Sequence, residues 1–266
     1  MIDDNKFRLL LDRLGLSWEG YARVRKGVKK RICRHMEERG YRTMDDYLHA
    51  LKNPEILKEI EYLFCVSVSQ FFRDRYLWQE MEGEILPDII RRYDKRIDIW
   101  SAGCALGQEV YSFAILWDIK KGKSERYPKL HFNATDSNPD YLKKAREGIY
   151  NPSSLKGLSD EIKRHYFHIG ENDSNYRVAD YLKKDIHWEL HDLIIQPPLA
   201  GRFQIIFLRN SLLTYYPVER IERIFLKVLD SLDEGGFFIV GRHEKLPFQT
   251  SRLSPYKGCL YIFQNT

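Results

Sequence analysis

The sequence predicts an α/β protein in which an all-helical leading segment precedes a largely parallel sheet. Two observations carry this reading. Up to about residue 93, apolar positions recur at spacings of three and four with no strand-like alternation. From residue 96, the short apolar runs "IDIW", "LHFNATD", "WELHDL", "FQIIFL" and "GGFFIVG" alternate with helical stretches, as βαβ units do.

Taken in order, residues 23 to 40 ("RVRKGVKKRICRHMEERG") read as a helix with Arg23, Lys26, Lys30 and Arg34 along one face and Lys29 nearby. Pro54 opens a helix whose inner face carries Ile56, Leu57, Ile60, Leu63 and Phe64. The first strand runs through Gly103 and Gly107 into a helix with the stripe Val110, Phe113, Ala114 and Trp117. Between Tyr150 and about Lys184 the rhythm breaks, "GENDSNYRVAD" reads as turns, and an inserted subdomain is expected. A last helix begins at Pro217, buries Ile221, Ile224, Phe225, Val228 and Leu232, and is expected to stop at Gly235 and Gly236.

The 266 residues suffice for two units with real cores. The 43 Lys and Arg against 38 Asp and Glu give a net charge of +5, too mild and too dispersed for a nucleic-acid binder. Four scattered cysteines (Cys33, Cys65, Cys104 and Cys259), no leader segment and no long apolar run fit a cytoplasmic protein without membrane insertion. His187 and His191 have no Cys or carboxylate at a recurring ligand spacing, so no metal site is expected. Cys104 reads as a packing residue.

In an open α/β sheet, ligands bind beyond the carboxyl ends of the strands. Those ends deliver Gly103 to Gly107 and Glu109, then Asp136, then Asp192 and Leu193, then Arg209 and Asn210. Asp136 can accept hydrogen bonds from both hydroxyls of a ribose, so the set suits an adenosine group. No Lys-Ser or Lys-Thr follows the glycines to grip a phosphate chain. A cofactor with an adenosine and a cationic tail, such as S-adenosylmethionine, would pair its amino group with Glu109, although a strand, Gly-rich turn and helix occur in many nucleotide folds.

Five ordered blocks are more specific: "FFRDR" (71–75), "WSAGCALGQEVYSFAI" (100–115), "ATDSNPDYLKKAREGIY" (134–150), "FLRNSLLTYY" (207–216) and "LDEGGFFIVGRHEKL" (232–246). From about residue 20 to the C-terminus the chain resembles CheR-type chemotaxis receptor methyltransferases. The resemblance implies a helical N-terminal domain over 1–75, a connecting helix over 76–93, and a class I Rossmann-like methyltransferase domain over 94–266 with a small inserted β-subdomain over 150–184. It implies methyl transfer from S-adenosylmethionine to receptor glutamates, with S-adenosylhomocysteine as product. By position, cofactor contacts fall on Arg73, Glu109, Asp136, Asp192, Leu193, Arg209 and Asn210, with Gly103 and Gly107 giving the backbone room to approach.

The family's Asn-x-Thr before Phe-Phe-Arg is here Ser67 and Ser69, so hydroxyls remain and the amide is lost. Its Arg-Asn-Val-Leu-Ile-Tyr-Phe places Thr214 at the tyrosine thought to orient the reacting carboxylate, and a one-residue shift would let Tyr215 take that role beside Arg73. Gly-His-Ser-Glu has become Gly241, Arg242, His243 and Glu244. The expected partner is the acidic helical cytoplasmic region of a receptor, met by Lys30, Arg31 and Arg34, and the chain is expected to act as a monomer. The competing readings are a different acceptor, or a cofactor-binding sensor or docking module with little or no transferase activity.

Overall fold

In the computed structural model, which describes residues 2–66, 69–122, 127–170 and 174–266, packing divides the chain into two units. One comprises Met1–Val66 and Asn210–Glu222, the other Ser67–Arg209 and Arg223–Thr266.

The first unit is helical. Helix α1 (Asp4–Leu14) starts where the Asp3 carboxylate accepts the Lys6 N–H at 2.8 Å and ends at left-handed Gly15. A single turn, α2 (Trp18–Tyr21), leads to the basic α3 (Arg25–Glu38) and then to α4 (Met44–Ala50), capped by Thr43. Helix α5 (Pro54–Phe64) has Asn53 as its cap and Pro54 in its first turn, as the sequence predicts. Phe7 stacks on Phe64 at 5.9 Å and Tyr21 meets Phe64 edge-on at 5.4 Å, at the centre of a core that also buries Leu10, Ile32 and Tyr47. Ile60 and Phe64 are buried, with Ile56, Leu57 and Leu63 at the margin.

In the second unit, α6 (Arg75–Glu80) passes through a wider π turn, Met81–Ile85, into α7 (Leu86–Arg92). Their inner face buries Leu77, Trp78, Met81, Ile85 and Leu86 in the same core as the strands. The chain therefore divides at Val66 and not at residue 75, because the apolar stripe of 77–89 completes the sheet's core. The sheet is formed by β1 (Arg96–Ala102), β2 (Lys129–Asp136), β6 (Ile186–Leu190), β7 (Phe203–Leu208), β8 (Leu232–Val240), β9 (Leu253–Pro255) and β10 (Ile262–Asn265), in the order β6-β2-β1-β7-β8-β10-β9. Adjacent strands from β6 to β8 pair in parallel, and β10 runs antiparallel to both its neighbours. The order reverses beside β1, which puts the ligand crevice there.

Helix α8 (Gln108–Lys121) buries the predicted stripe, but also Tyr111, Ser112, Ile115 and Leu116. Its far side is covered by the insertion: Tyr150 lies 6.2 Å from Tyr111, and the Tyr166 hydroxyl donates to Asp118 at 3.1 Å. That insertion follows α9 (Pro139–Glu147) and holds β3 (Ile149–Tyr150), α10 (Asp160–Tyr166), β4 (Phe167–Ile169) and β5 (Tyr176–Val178). The three strands form an antiparallel sheet in the order β3-β5-β4, so part of the expected turn region is strand β5.

After β7 the chain forms α11 (Leu212–Tyr215) within the helical unit and returns along α12 (Val218–Asp230), where Phe225 packs edge-on to Phe238 at 5.4 Å. A Cβ on Gly20 would meet the Thr214 carbonyl oxygen at 2.0 Å, the Ser17 N–H donates to Tyr215 O at 2.8 Å, and Arg220 donates to Leu14 O and Gly15 O. Gly235 and Gly236 do not stop α12, which ends at Asp230; they lie inside β8, where the register with β7 shifts. A Cβ on Gly236 would sit 2.9 Å from Asp233 O and 3.1 Å from Gln204 O, so the irregularity needs glycine. Among the described residues no helix is long and apolar enough to cross a membrane.

Candidate functional site

The carboxyl end of β1 folds back on β2: the Gly103 and Cys104 N–H groups both donate to Thr135 O at 2.8 Å, and the Gly107 N–H closes the turn on Cys104 O at 3.0 Å. Gly103 and Gly107 have φ of 90° and 85°, which glycine adopts freely. Gly107 has a second reason. A Cβ there would lie 2.9 Å from Trp188 Cη2, 3.1 Å from Ala145 Cβ and 3.2 Å from the Tyr150 hydroxyl. Its missing side chain admits α9, β6 and the insertion to the turn.

Asp136, at the end of β2, accepts the Ala105 N–H on Oδ2 at 2.8 Å and the Asn138 N–H on Oδ1 at 2.9 Å. Burial, with the neighbouring Asp192 carboxylate adding to it, pushes its pKa up to about 6 despite those two donors. Asp192 sits in its own turn, accepting from Ile194 N–H at 2.8 Å, and Leu193 beside it is half-buried. Between them, His191 is buried, donates its backbone N–H to Asp136 O at 3.0 Å, and holds Pro197 O with Nε2 at 2.8 Å. His191 thus acts as a clamp that ties the ends of β2 and β6 together. Among the described residues no cluster of three or more His, Cys, Asp or Glu could hold a metal. Burial, with the Asp136 and Glu109 charges, raises the Cys104 thiol well above its ordinary pKa, which suits a packing residue.

Arg209, at the end of β7, is 5% exposed in its side chain and divides its guanidinium between two carboxylates. Nη1 donates to Glu109 Oε2 at 2.7 Å, Nη2 donates to Asp74 Oδ2, and the Ser101 hydroxyl donates to Glu109 Oε1 at 3.0 Å. Glu109 and Arg209, predicted separately, are thus joined, and Asp74 and Ser101 complete the group. Arg209 Nε and Gln108 Oε1 are buried and have no hydrogen-bond partner.

Asp74 is delivered by the 71–74 loop, whose residues are each held. Phe71 N–H donates to Ser154 O at 3.1 Å, Phe72 N–H to the Ser112 hydroxyl at 2.8 Å, and Trp78 Nε1 to Arg73 O at 2.8 Å. The Ser112 hydroxyl in turn donates to Gln108 O at 2.7 Å, fastening the loop to the first turn of α8. Among the described residues five non-glycines have positive φ, and four of them, Phe72, Asp74, Ala105 and Asn210, lie on segments carrying predicted site residues. Backbone strain persists where surroundings over-determine it, as here. The Arg73 side chain is exposed, Ser69 is half-buried, and Ser67 lies outside the described residues.

The remaining predicted residues belong to the helical unit. The ring of Tyr215 packs on Tyr21 at 4.7 Å against the helical core. Lys30 and Arg34 are exposed on α3 beside Lys26. Arg31 instead donates through Nε to Leu63 O at 2.8 Å and through Nη2 to Cys65 O at 3.1 Å, capping the end of α5, so its fork is occupied inside the unit. Asp74, Ser101 and Ser112 are not among the residues the sequence singles out, although Asp74 lies inside "FFRDR" and both serines inside "WSAGCALGQEVYSFAI".

Residues 67–261 match the family model described as "CheR methyltransferase, SAM binding domain". The chain is 30% identical over 240 residues to a chemotaxis protein methyltransferase of Listeria monocytogenes, covering 90% of this chain and 88% of that protein. It is 31% identical over 198 residues to one of Vibrio parahaemolyticus, covering 72% and 70%.

Proposed function

The chain belongs to the CheR methyltransferase family, and from that premise we propose that it methylates glutamate carboxylates on the acidic helical region of chemotaxis receptors. It is an S-adenosylmethionine-dependent methyltransferase of chemotaxis. The chain's own residues fit that cofactor: two carboxylates around one guanidinium leave a formal charge of −1 where a cationic tail would sit, beside buried polar atoms that lack partners. This surplus negative charge is the observation that carries the reading.

Bound there, S-adenosylmethionine would supply an electrophilic sulfonium methyl for the acceptor carboxylate oxygen, with S-adenosylhomocysteine as the thioether leaving group. In our reading Glu109 takes the ammonium of the amino-acid tail, Asp136 takes the ribose hydroxyls, and Asp192 with Leu193 borders the adenine. An acceptor glutamate, with an ordinary pKa of about 4.3, arrives ionised at neutral pH and needs no general base. The protein's part is orientation and exclusion of water. The clamped 71–74 loop fixes the backbone of Arg73, which would orient the acceptor. Lys26, Lys30 and Arg34 on α3 would steer an acidic helix.

Incubation with methyl-labelled cofactor and acidic receptor fragments tests this: base-labile label on glutamate supports it, and base-stable label would overturn the acceptor class. One observation favours a different acceptor. Thr214 stands at the family's tyrosine position, and the ring of the next residue, Tyr215, packs on Tyr21 in the helical unit. Label on glutamate at a rate insensitive to Thr214→Tyr would count against that second reading.

A further inference from the structure

Asp74 occupies the position before α6 where an aspartate ordinarily caps its own helix, yet its side chain makes no capping hydrogen bond. The carboxylate reaches instead to Arg209, far along the sequence. It does so from a left-handed backbone conformation, φ 63°, that a non-glycine residue holds only under constraint. Its side chain is 15% exposed, that of Glu109 16% and that of Arg209 5%, so the three charges interact in partial shelter from solvent.

With Glu109 alone, Arg209 would form a closed, neutral pair. The second carboxylate changes this: one guanidinium is shared between Asp74 and Glu109, and Glu109 keeps negative charge that Arg209 does not cancel. We infer that Asp74 is a positioning residue for the cofactor's cationic tail: by drawing on Arg209, it keeps Glu109 available to the ammonium group. The inference rests on the assignment of that ammonium to Glu109. The ligand chemistry follows directly, since the site would discriminate by charge, favouring S-adenosylmethionine, whose sulfonium and ammonium make it net cationic, over adenosine derivatives that lack the amino-acid tail.

The test uses calorimetric titration of the whole chain with S-adenosylmethionine and with 5′-methylthioadenosine, which keeps the nucleoside and thioether and lacks the tail. Asp74→Asn is expected to weaken S-adenosylmethionine about 10- to 100-fold, the effect of removing one nearby unit charge in a partly sheltered site. Methylthioadenosine is expected to change by less than about threefold, a difference that a merely structural role would not produce. An equal loss for both ligands, or no loss for either in a folded variant, overturns the inference. Asp74→Glu keeps the charge and is expected to retain the parent's ratio of the two affinities; if it loses that ratio, charge is not the cause and the inference fails. Glu109→Gln separates the premise: if it leaves S-adenosylmethionine binding unchanged, the ammonium assignment falls whatever Asp74→Asn does.

Discussion

Replacing Gly107 by alanine separates two explanations of a glycine at a cofactor turn. If the glycine is there to let a ligand approach, the variant should fold normally and lose cofactor. If it is there because α9, β6 and the insertion close over it, the variant should lose stability with no ligand present. The added Cβ would be 2.9 Å from the Trp188 ring, 3.1 Å from Ala145 and 3.2 Å from the Tyr150 hydroxyl, at a φ of 85°. Left-handed backbone costs a non-glycine residue about 1–2 kcal/mol, and overpacking adds about 1–3 kcal/mol. The Trp188 ring is also packed against Tyr111, at 5.6 Å, which restrains its retreat. A loss of about 3 kcal/mol lowers Tm by about 6–12 °C in a chain of this size. Thermal melting without cofactor reads this out, with Gly83→Ala as the control, since a Cβ there meets nothing within 4 Å. A Gly107→Ala protein that melts within about 2 °C of its parent would refute the packing explanation.

Ser112→Ala leaves the Phe72 N–H without its acceptor and is expected to cost about 1–3 kcal/mol by chemical denaturation while raising KM for the cofactor. Cofactor affinity is expected to fall as pH drops through about 6, where Asp136 takes up a proton, and Asp136→Asn should flatten that dependence. The sign for stability is opposite: a carboxyl raised from 3.8 to about 6 favours the folded state below pH 3.8, and this contribution is lost as pH rises through about 6. Arg31→Ala, which removes two carbonyl contacts at the end of α5, should lower stability by about 1–2 kcal/mol. Lys30→Glu with Arg34→Glu should change stability by less than about 0.5 kcal/mol and instead slow methylation of acidic substrates, most strongly at low salt.

What the sequence disclosed follows the physics of each element. The central strands β1 and β7 and the second half of β8 are apolar runs buried on both faces, so their composition announces them. The edge strand β9 is three residues long and ends in Pro255, and such a segment offers no periodicity to detect. Gly235 and Gly236 follow the last helix as a stop signal should, but the sheet's irregularity also demands glycine, and local sequence does not distinguish the two uses. In the candidate site, Glu109, Asp136 and Arg209 were legible because strand ends point to them. Asp74 and Ser112 were not, because their roles depend on contacts to Arg209 and Phe72 that no spacing along the chain encodes. Arg31, which the family resemblance and not the basic face points to, likewise makes contacts that no spacing encodes, to Leu63 O and Cys65 O.

The segment that follows β7 places a limit on how this protein can be inherited or cut. Residues 210–222 pack with the leading helices, their backbone pressed against Gly20, and only then does the chain return to the sheet. The helical unit is therefore woven in, and a gene fragment beginning at residue 67 would encode a catalytic sheet with an unpaired stretch in its middle, including buried Leu212 and Ile221. Recombination that exchanged the leading helices between relatives would have to exchange α11 with them, so the two parts are bound to diversify together.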